Sequence, residues 1–306
     1  MTAFELITRL YDLGHFHNPK YPTGVKQTDL PMLALHDAVV KIAIQSYVEF
    51  MTGEIDSDPS APAAIKLISE PRCGFPDFPY PEGIMASQME ANWPGACRGK
   101  LKFSRNFKAL PGLSEADTDK IYHGMSNNWT YALKDVDLTS AAVGDSSGAH
   151  IYAALEALGG NVLAWSYLAT NRCSDQLAQR YNTRTNWNLA LAITVATHEV
   201  GHALGLPHNN DNSALMYPSI HARSLARLGY PNSTDLAQAK GLGYTLSGSE
   251  PPKPDDLYRP RPHTPMPPTD PDVPIPPGKL WFKGGFTLMS DETELGDFIL
   301  VPKPKV

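Results

Sequence analysis

Apolar positions in the first eighty residues recur at helical spacing. In LPMLALHDAVVKIAIQSYVEF (30–50), Leu33, Val40, Ile44 and Val48 fall near one face of a 3.6-residue repeat, and MTGEID (51–56) breaks it. A shorter repeat runs from Ala63 to Ile68. Residues 1–80 therefore read as a small helical unit. Residues 81–97 are rich in Pro, Gly and small side chains and read as a linker. From 98 to 247 strand-like and helix-like segments alternate. KLKFSRNF alternates apolar and polar positions, as a strand does. HIYAAL and NVLAWSYL are short apolar strands on either side of Gly159-Gly160, and DQLAQRYNT is a further candidate. Ser114 with Asp117 makes a capping-box-like start for a helix that runs to about Leu133, with Asp in place of the usual Glu. NWNLALAITVATHEVGHALGL (186–206) is a long helical pattern ended by Gly205 and Pro207.

After Ser247 the pattern is lost. Residues 248–278 are crowded with proline and read as an extended linker. Residues 279–306 hold material for a two-stranded unit, with Trp281, Phe282, Phe286 and Phe298 as its core or as a docking face.

Composition narrows the function classes. The chain has 306 residues, 42% of them hydrophobic, enough for one sizeable domain plus additions. A formal net charge of −6 argues against a nucleic-acid partner, which needs a basic face. No apolar run is long enough to span a membrane. The N-terminus lacks the charged start and apolar stretch of a signal peptide, so localisation stays open on this ground. Three cysteines are too few for a disulfide scaffold. Cys97 and Cys173 are either one pair or two free thiols; Cys73 belongs to a different argument.

The chemistry is concentrated in HEVGHALGLPH at 198–208. On a helix, His198 and His202 share a face and can grip one metal ion. Glu199 then stands beside the metal, where a carboxylate can hold and deprotonate water. Gly205 lets the chain leave the helix sharply and bring His208 back as a third ligand. Three protein ligands leave one position open, the pattern of a catalytic zinc. Downstream, Ser213-Ala214-Leu215-Met216-Tyr217-Pro218 supplies a methionine turn, with Met216 at its centre.

HEVGHALGLPH followed by ALMYPS resembles the matrixins, the matrix-metalloproteinase type of metzincin. EPRCGFPDF (70–78) independently resembles the matrixin cysteine-switch motif, and MTGEID resembles a turn of the matrixin prodomain, a small helical peptidoglycan-binding-like unit. The resemblance covers roughly residues 1–246. It implies an α+β/α/β metzincin catalytic domain with a twisted, mostly parallel sheet of about five strands and an active-site helix, preceded by an all-α prodomain. It implies a zinc endopeptidase made as a latent zymogen. Cys73 would bind the catalytic zinc as a thiolate, and an Arg72–Asp77 ion pair would fix the loop. Substrate, a protein or peptide, would lie along Asn161–Leu168. A hydrophobic pocket beside the zinc would have Thr194 at its floor and Tyr217 and Pro218 in its wall. Activation would require a cut within 79–96. The chain departs from the family at Trp165-Ser166, where a structural-zinc histidine is expected, and in QLAQRYNTRTNW, which lacks the matching histidine and acids. One catalytic zinc is therefore expected, without the family's structural zinc or usual calcium. Thr234-Asp235 stands near the family's paired acids, one of which is lost here. The alternative is a phage or bacterial cell-wall peptidase whose N-terminal domain binds peptidoglycan.

Overall fold

The computed structural model describes residues 1–55, 60–78, 92–140, 143–159, 161–169, 171–259, 286–290 and 298–302. The chain divides into two units, Met1–Arg261 and Pro262–Val306.

The first unit opens with helix α1 (Ala3–Asp12). Its start is a reciprocal capping box: the Thr2 hydroxyl accepts from the Glu5 N–H, and the Glu5 carboxylate accepts from the Thr2 N–H. Leu6, Ile7 and Leu10 form its buried stripe. The single helix expected over 30–50 is instead two pieces. Gln27–Met32 is a 3-10 turn containing Pro31, and α2 spans Ala38–Thr52. Pro31 cannot continue a ladder, and the Asp37 carboxylate accepts the Ala34 N–H, holding a loop between them. Helix α3 (Ala61–Ile68) begins before the expected Ala63, because the Ser60 hydroxyl caps it and Pro62 suits a first turn. These helices share a core of Leu6, Ile7, Leu10, Phe16, Ile44 and Tyr47, closed by Tyr217 from far along the chain.

The larger body begins at Asn92. Trp93 is fully buried, and its indole N–H donates to the Ala203 carbonyl at 2.7 Å. A short helix α4 (Gly95–Arg98) follows. The stretch expected as linker up to 97 is thus part of the core from Asn92 onward; small residues read as a linker, but Trp93 anchors them. Residues 79–91 of that stretch lie outside the described residues. Strand β1 (Leu101–Arg105) leads to α5 (Glu115–Ala132), then β2 (Leu138–Ser140), β3 (Ile151–Glu156), β4 (Ala164–Ser166), β5 (Leu177–Asn182) and α6 (Leu189–Ala203). The sheet order is β2-β1-β3-β5-β4, parallel throughout except for the antiparallel edge strand β4. This is the mostly parallel five-stranded sheet expected. Strand β2 carries only three residues, too few for a period-two pattern to be read.

Helix α5 backs α6, with the Trp129 indole donating to Thr197 O at 2.8 Å. Helices α7 (Ala222–Ala226) and α8 (Ser233–Gly241) follow. The tract expected as linker from 248 remains packed to Arg259. Leu257 of α9 (Pro254–Leu257) is buried, and the Asn127 amide donates to the carbonyls of Asp256, Leu257 and Arg259. Residues 260–278 lie outside the described residues.

Cys97 and Cys173 form a disulfide with a Cα–Cα distance of 5.8 Å, which settles the pairing left open above. In the second unit, β6 (Phe286–Ser290) pairs antiparallel with β7 (Phe298–Pro302); Trp281 and Phe282 lie outside the described residues. Among the described residues, no helix is long and apolar enough to cross a membrane.

Candidate metal centre

Helix α6 carries His198, Glu199 and His202 in its last two turns, entirely buried against the sheet. Asn188 caps its start by accepting the Leu191 N–H. Its exit runs through Gly205 at φ 101, a conformation that glycine adopts readily. The turn returns His208 to the same point. The Nε2 atoms of His198 and His202 are 3.1 Å apart, and those of His202 and His208 are 3.2 Å apart. The Cys73 sulfur lies 3.5 Å from His202 Nε2. A tetrahedral zinc with its usual N and S bond lengths spans about 3.3 Å between nitrogens and about 3.6 Å from nitrogen to sulfur. These three separations match edges of a zinc tetrahedron. The four side chains are also a group whose ligand atoms all lie within 4.8 Å of one another.

Proton positions lead to the same ligand set. His198 Nδ1 faces Leu215 O at 2.6 Å, and His202 Nδ1 faces Leu206 O at 2.8 Å. His208 Nδ1 faces the Asp77 carboxylate at 2.7 Å. Each Nδ1 must carry the proton, so each neutral ring turns a bare Nε2 lone pair inward. Burial depresses all three imidazoles, His198 to about 3, which favours the neutral, ligating form. Three converging lone pairs repel one another unless a cation lies between them.

Glu199 is fully buried, and neither carboxylate oxygen has a hydrogen-bond partner among the described residues. Burial pushes its pKa up to about 8. Burial, and then the Glu199 charge, push the Cys73 thiol well up. A carboxyl and a thiol so buried favour their protonated, neutral forms, and a bound divalent cation would reverse this for a coordinating thiol by deprotonating it. The residues fit zinc.

The Pro71–Asp77 loop lies in the cleft between β4's side and the Tyr217–Ile220 segment. On one side Arg72 N–H donates to Asn161 O (3.1 Å), Leu163 N–H to Arg72 O (2.8 Å) and Gly74 N–H to Ala164 O (2.8 Å). On the other, Cys73 N–H donates to Pro218 O (2.8 Å) and Ile220 N–H to Pro71 O (3.2 Å). The Phe75 ring packs on His202 with centroids 4.4 Å apart. The segment expected to hold extended substrate is thus paired with the chain's own loop. Arg72 and Asp77 form a fully buried ion pair at 2.8 Å. Burial opposes ionisation of Asp77, but the Arg72 charge and hydrogen bonds from His15 and His208 outweigh it and hold it well below the carboxylate range.

Beside Cys73 is a small cavity lined by Leu163, Val195, His198, Glu199, Tyr217, Pro218 and Ile220. Tyr217 and Pro218, named above for the wall of a pocket, are among the lining residues. Thr194 is not among the lining residues; it is buried under the Gly229 backbone, and Val195 takes the wall. Met216 lies beneath α6, its turn held by Asp235, which accepts the N–H groups of Leu215, Met216 and Asn232. Asp235 thus supports the same Leu215 whose carbonyl holds His198. The sequence motif marked Met216 but gave no sign of this role for Asp235. It gave none for His15 either, which donates to or accepts from Ser46 and Asp77 across 31 and 62 residues. Such partnerships leave no local spacing to read.

Residues 114–237 match the model of the matrixin peptidase family. Human neutrophil collagenase is 29% identical over 66% of this chain and 43% of its own length. Human matrix metalloproteinase-20 is 30% identical over 55% of this chain and 34% of its own. The metalloendoproteinase 4-MMP of Arabidopsis thaliana is 27% identical over 57% of this chain and 56% of its own. The chain spans less than two thirds of the length of each of these relatives.

Proposed function

We propose that this chain, a matrixin-like metallopeptidase over residues 114–237, is a zinc-dependent endopeptidase in its latent, uncut form. The supporting observation is the Cys73 sulfur, which lies within 4.8 Å of the three histidine ligand atoms, with its loop strapped into the cleft. His198, His202 and His208 would hold the zinc throughout. Cys73 would occupy the remaining position until the loop is released. The ion supplies Lewis acidity toward water and a scissile carbonyl when bound.

The protein's own groups do the rest. Backbone groups of Asn161, Leu163 and Ala164 on one wall, and of Pro218 and Ile220 on the other, now bind the Pro71–Gly74 backbone. Freed, they would hold an extended peptide in the same slot. Glu199, raised by burial, would take a proton from the attacking water and return it to the leaving amine. The cavity of Leu163, Val195, Tyr217 and Ile220 would seat an apolar side chain next to the cut bond. Residues 1–78 would then be a prodomain, with Arg72 and Asp77 fixing its loop. The activating cut would fall before Asn92, since Trp93 is buried beneath α6. The cell-wall alternative is not favoured: the N-terminal unit fills the cleft, and the relatives named above are proteinases.

Casein-type cleavage by full-length protein tests this. Cys73→Ala should cut at once, while the wild type stays silent until its N-terminal unit is removed. Adding Glu199→Ala to Cys73→Ala should lower the rate by about 10²–10⁴-fold with zinc retained, and chelation should abolish it. A wild type as active as Cys73→Ala would sink the latency. Undiminished turnover without Glu199 would remove it as the base.

A further inference from the structure

The three ligand histidines are not supported alike. His198 and His202 rest their Nδ1–H groups on Leu215 and Leu206 carbonyls, which belong to the catalytic body and remain after any cut. His208 rests its Nδ1–H on Asp77, which belongs to the N-terminal unit. That contact is 2.7 Å long between side chains of zero exposure. Asp77 is itself fixed from three sides. One oxygen takes both the Arg72 guanidinium and His208, and the other faces His15 Nε2 at 3.0 Å. His15 is positioned in turn by Ser46 Oγ at 2.9 Å, and Asn18 donates to that same hydroxyl. A buried chain thus runs from α2 through His15 and Asp77 to the third ligand.

A carboxylate behind a ligating imidazole fixes its tautomer and ring orientation and raises its basicity, and loss of such a partner costs about 10–100-fold in metal affinity. We infer that Asp77 is a positioning residue for His208, so that the N-terminal unit clamps the metal as well as covering it, and the uncut chain retains zinc more tightly than the cut one. Cys73 and Asp77 would act at separate points: the thiol on the ion, the carboxylate behind a ligand. The inference rests on the metal-centre reading above.

Zinc transfer from full-length protein to an excess of a chromogenic chelator tests it. All chains carry Glu199→Gln so that none cuts itself. Cys73→Ser provides the background, removing the thiol's share while leaving Asp77. Adding Asp77→Asn should speed release by about 10–100-fold. Adding Asn161→Ala instead breaks docking contacts to Arg9 and the Ile68 carbonyl and leaves Asp77 in place; it should keep the slow release. Imidazole N–H resonances give a second readout. Among the three ligand imidazoles, the Asp77→Asn change should remove exchange protection from the His208 Nδ1–H and leave those of His198 and His202. Equal release with and without Asp77→Asn, or Asn161→Ala releasing as fast as Asp77→Asn, overturns the clamp. If the Glu199→Gln chain holds no stoichiometric zinc, the metal-centre reading falls, and the clamp with it.

Discussion

Single side chains around the site divide into those that face the ion and those that hold its frame. Asp211, three residues past His208, belongs to the second kind. Its carboxylate accepts the Thr234 hydroxyl at 2.6 Å, the Ser213 N–H and hydroxyl, and the Asn232 amide. These bonds, the Thr234 one first, hold its pKa down to about 2. A depressed carboxylate stabilises the fold fully above its unfolded pKa of about 4 and loses that contribution as pH falls toward 2. Asp211→Asn should therefore lower the melting temperature at neutral pH. It should also flatten the decline in melting temperature between pH 4 and pH 2 relative to wild type. Parallel declines in the two proteins would assign the acid response elsewhere. Thr234 is thus the partner of Asp211 here, and its neighbour Asp235 is occupied by the backbone of the methionine turn.

At the scale of elements, the metal site depends on how closely α6 approaches what lies beneath it. Gly201 sits between the two helical histidines, and an added Cβ there would come within 2.4 Å of Met216 Sδ and 3.0 Å of the Trp129 ring. Gly201→Ala should destabilise by about 1–3 kcal/mol through overpacking, read as a lowered denaturant midpoint, and should tilt His198 against His202. An unshifted midpoint would mean that Met216 yields freely. The elements also show where sequence was informative. Residues 198–208 and Met216 were legible because their spacing is dictated by one helix and one turn. The Arg72–Asp77 pair was legible only through the resemblance of PRCGFPD to the cysteine-switch motif, since no local periodicity marks it. Over 30–50 the apolar periodicity runs on across Pro31 and Asp37, whose local bonds break the ladder into two pieces. Val195 lines the cavity while Thr194 is buried beside the Gly229 backbone, a distinction between neighbours that helical phase alone does not make. Asp235, His15 and Trp93 were silent because their partners are distant in sequence.

On the scale of the whole molecule, the two parts of the first unit are joined by mutual insertion. Tyr217 of the catalytic body completes the N-terminal core and donates to Met51 O at 2.6 Å, while Phe75 of the N-terminal unit packs on His202. Undocking the loop therefore uncovers apolar surface on both sides, so release is expected to follow a cut rather than to occur spontaneously. The Cys97–Cys173 crosslink has a wider consequence. It ties α4 to the loop before β5 and persists where the surroundings oxidise thiols. In those same surroundings Cys73 must stay unoxidised, so the chain carries an odd sulfur inventory that has to be sorted during oxidative folding. A bound ion would shield the third sulfur from exchange. Refolding in a glutathione redox buffer with zinc should give the native crosslink and a free Cys73; the same refolding with chelator should give Cys73 mispaired with Cys97 or Cys173, as peptide mapping would show. Identical maps would mean that chain folding alone directs the pairing. Otherwise, metal supply at the moment of synthesis sets the yield of correctly crosslinked protein before any question of catalysis arises.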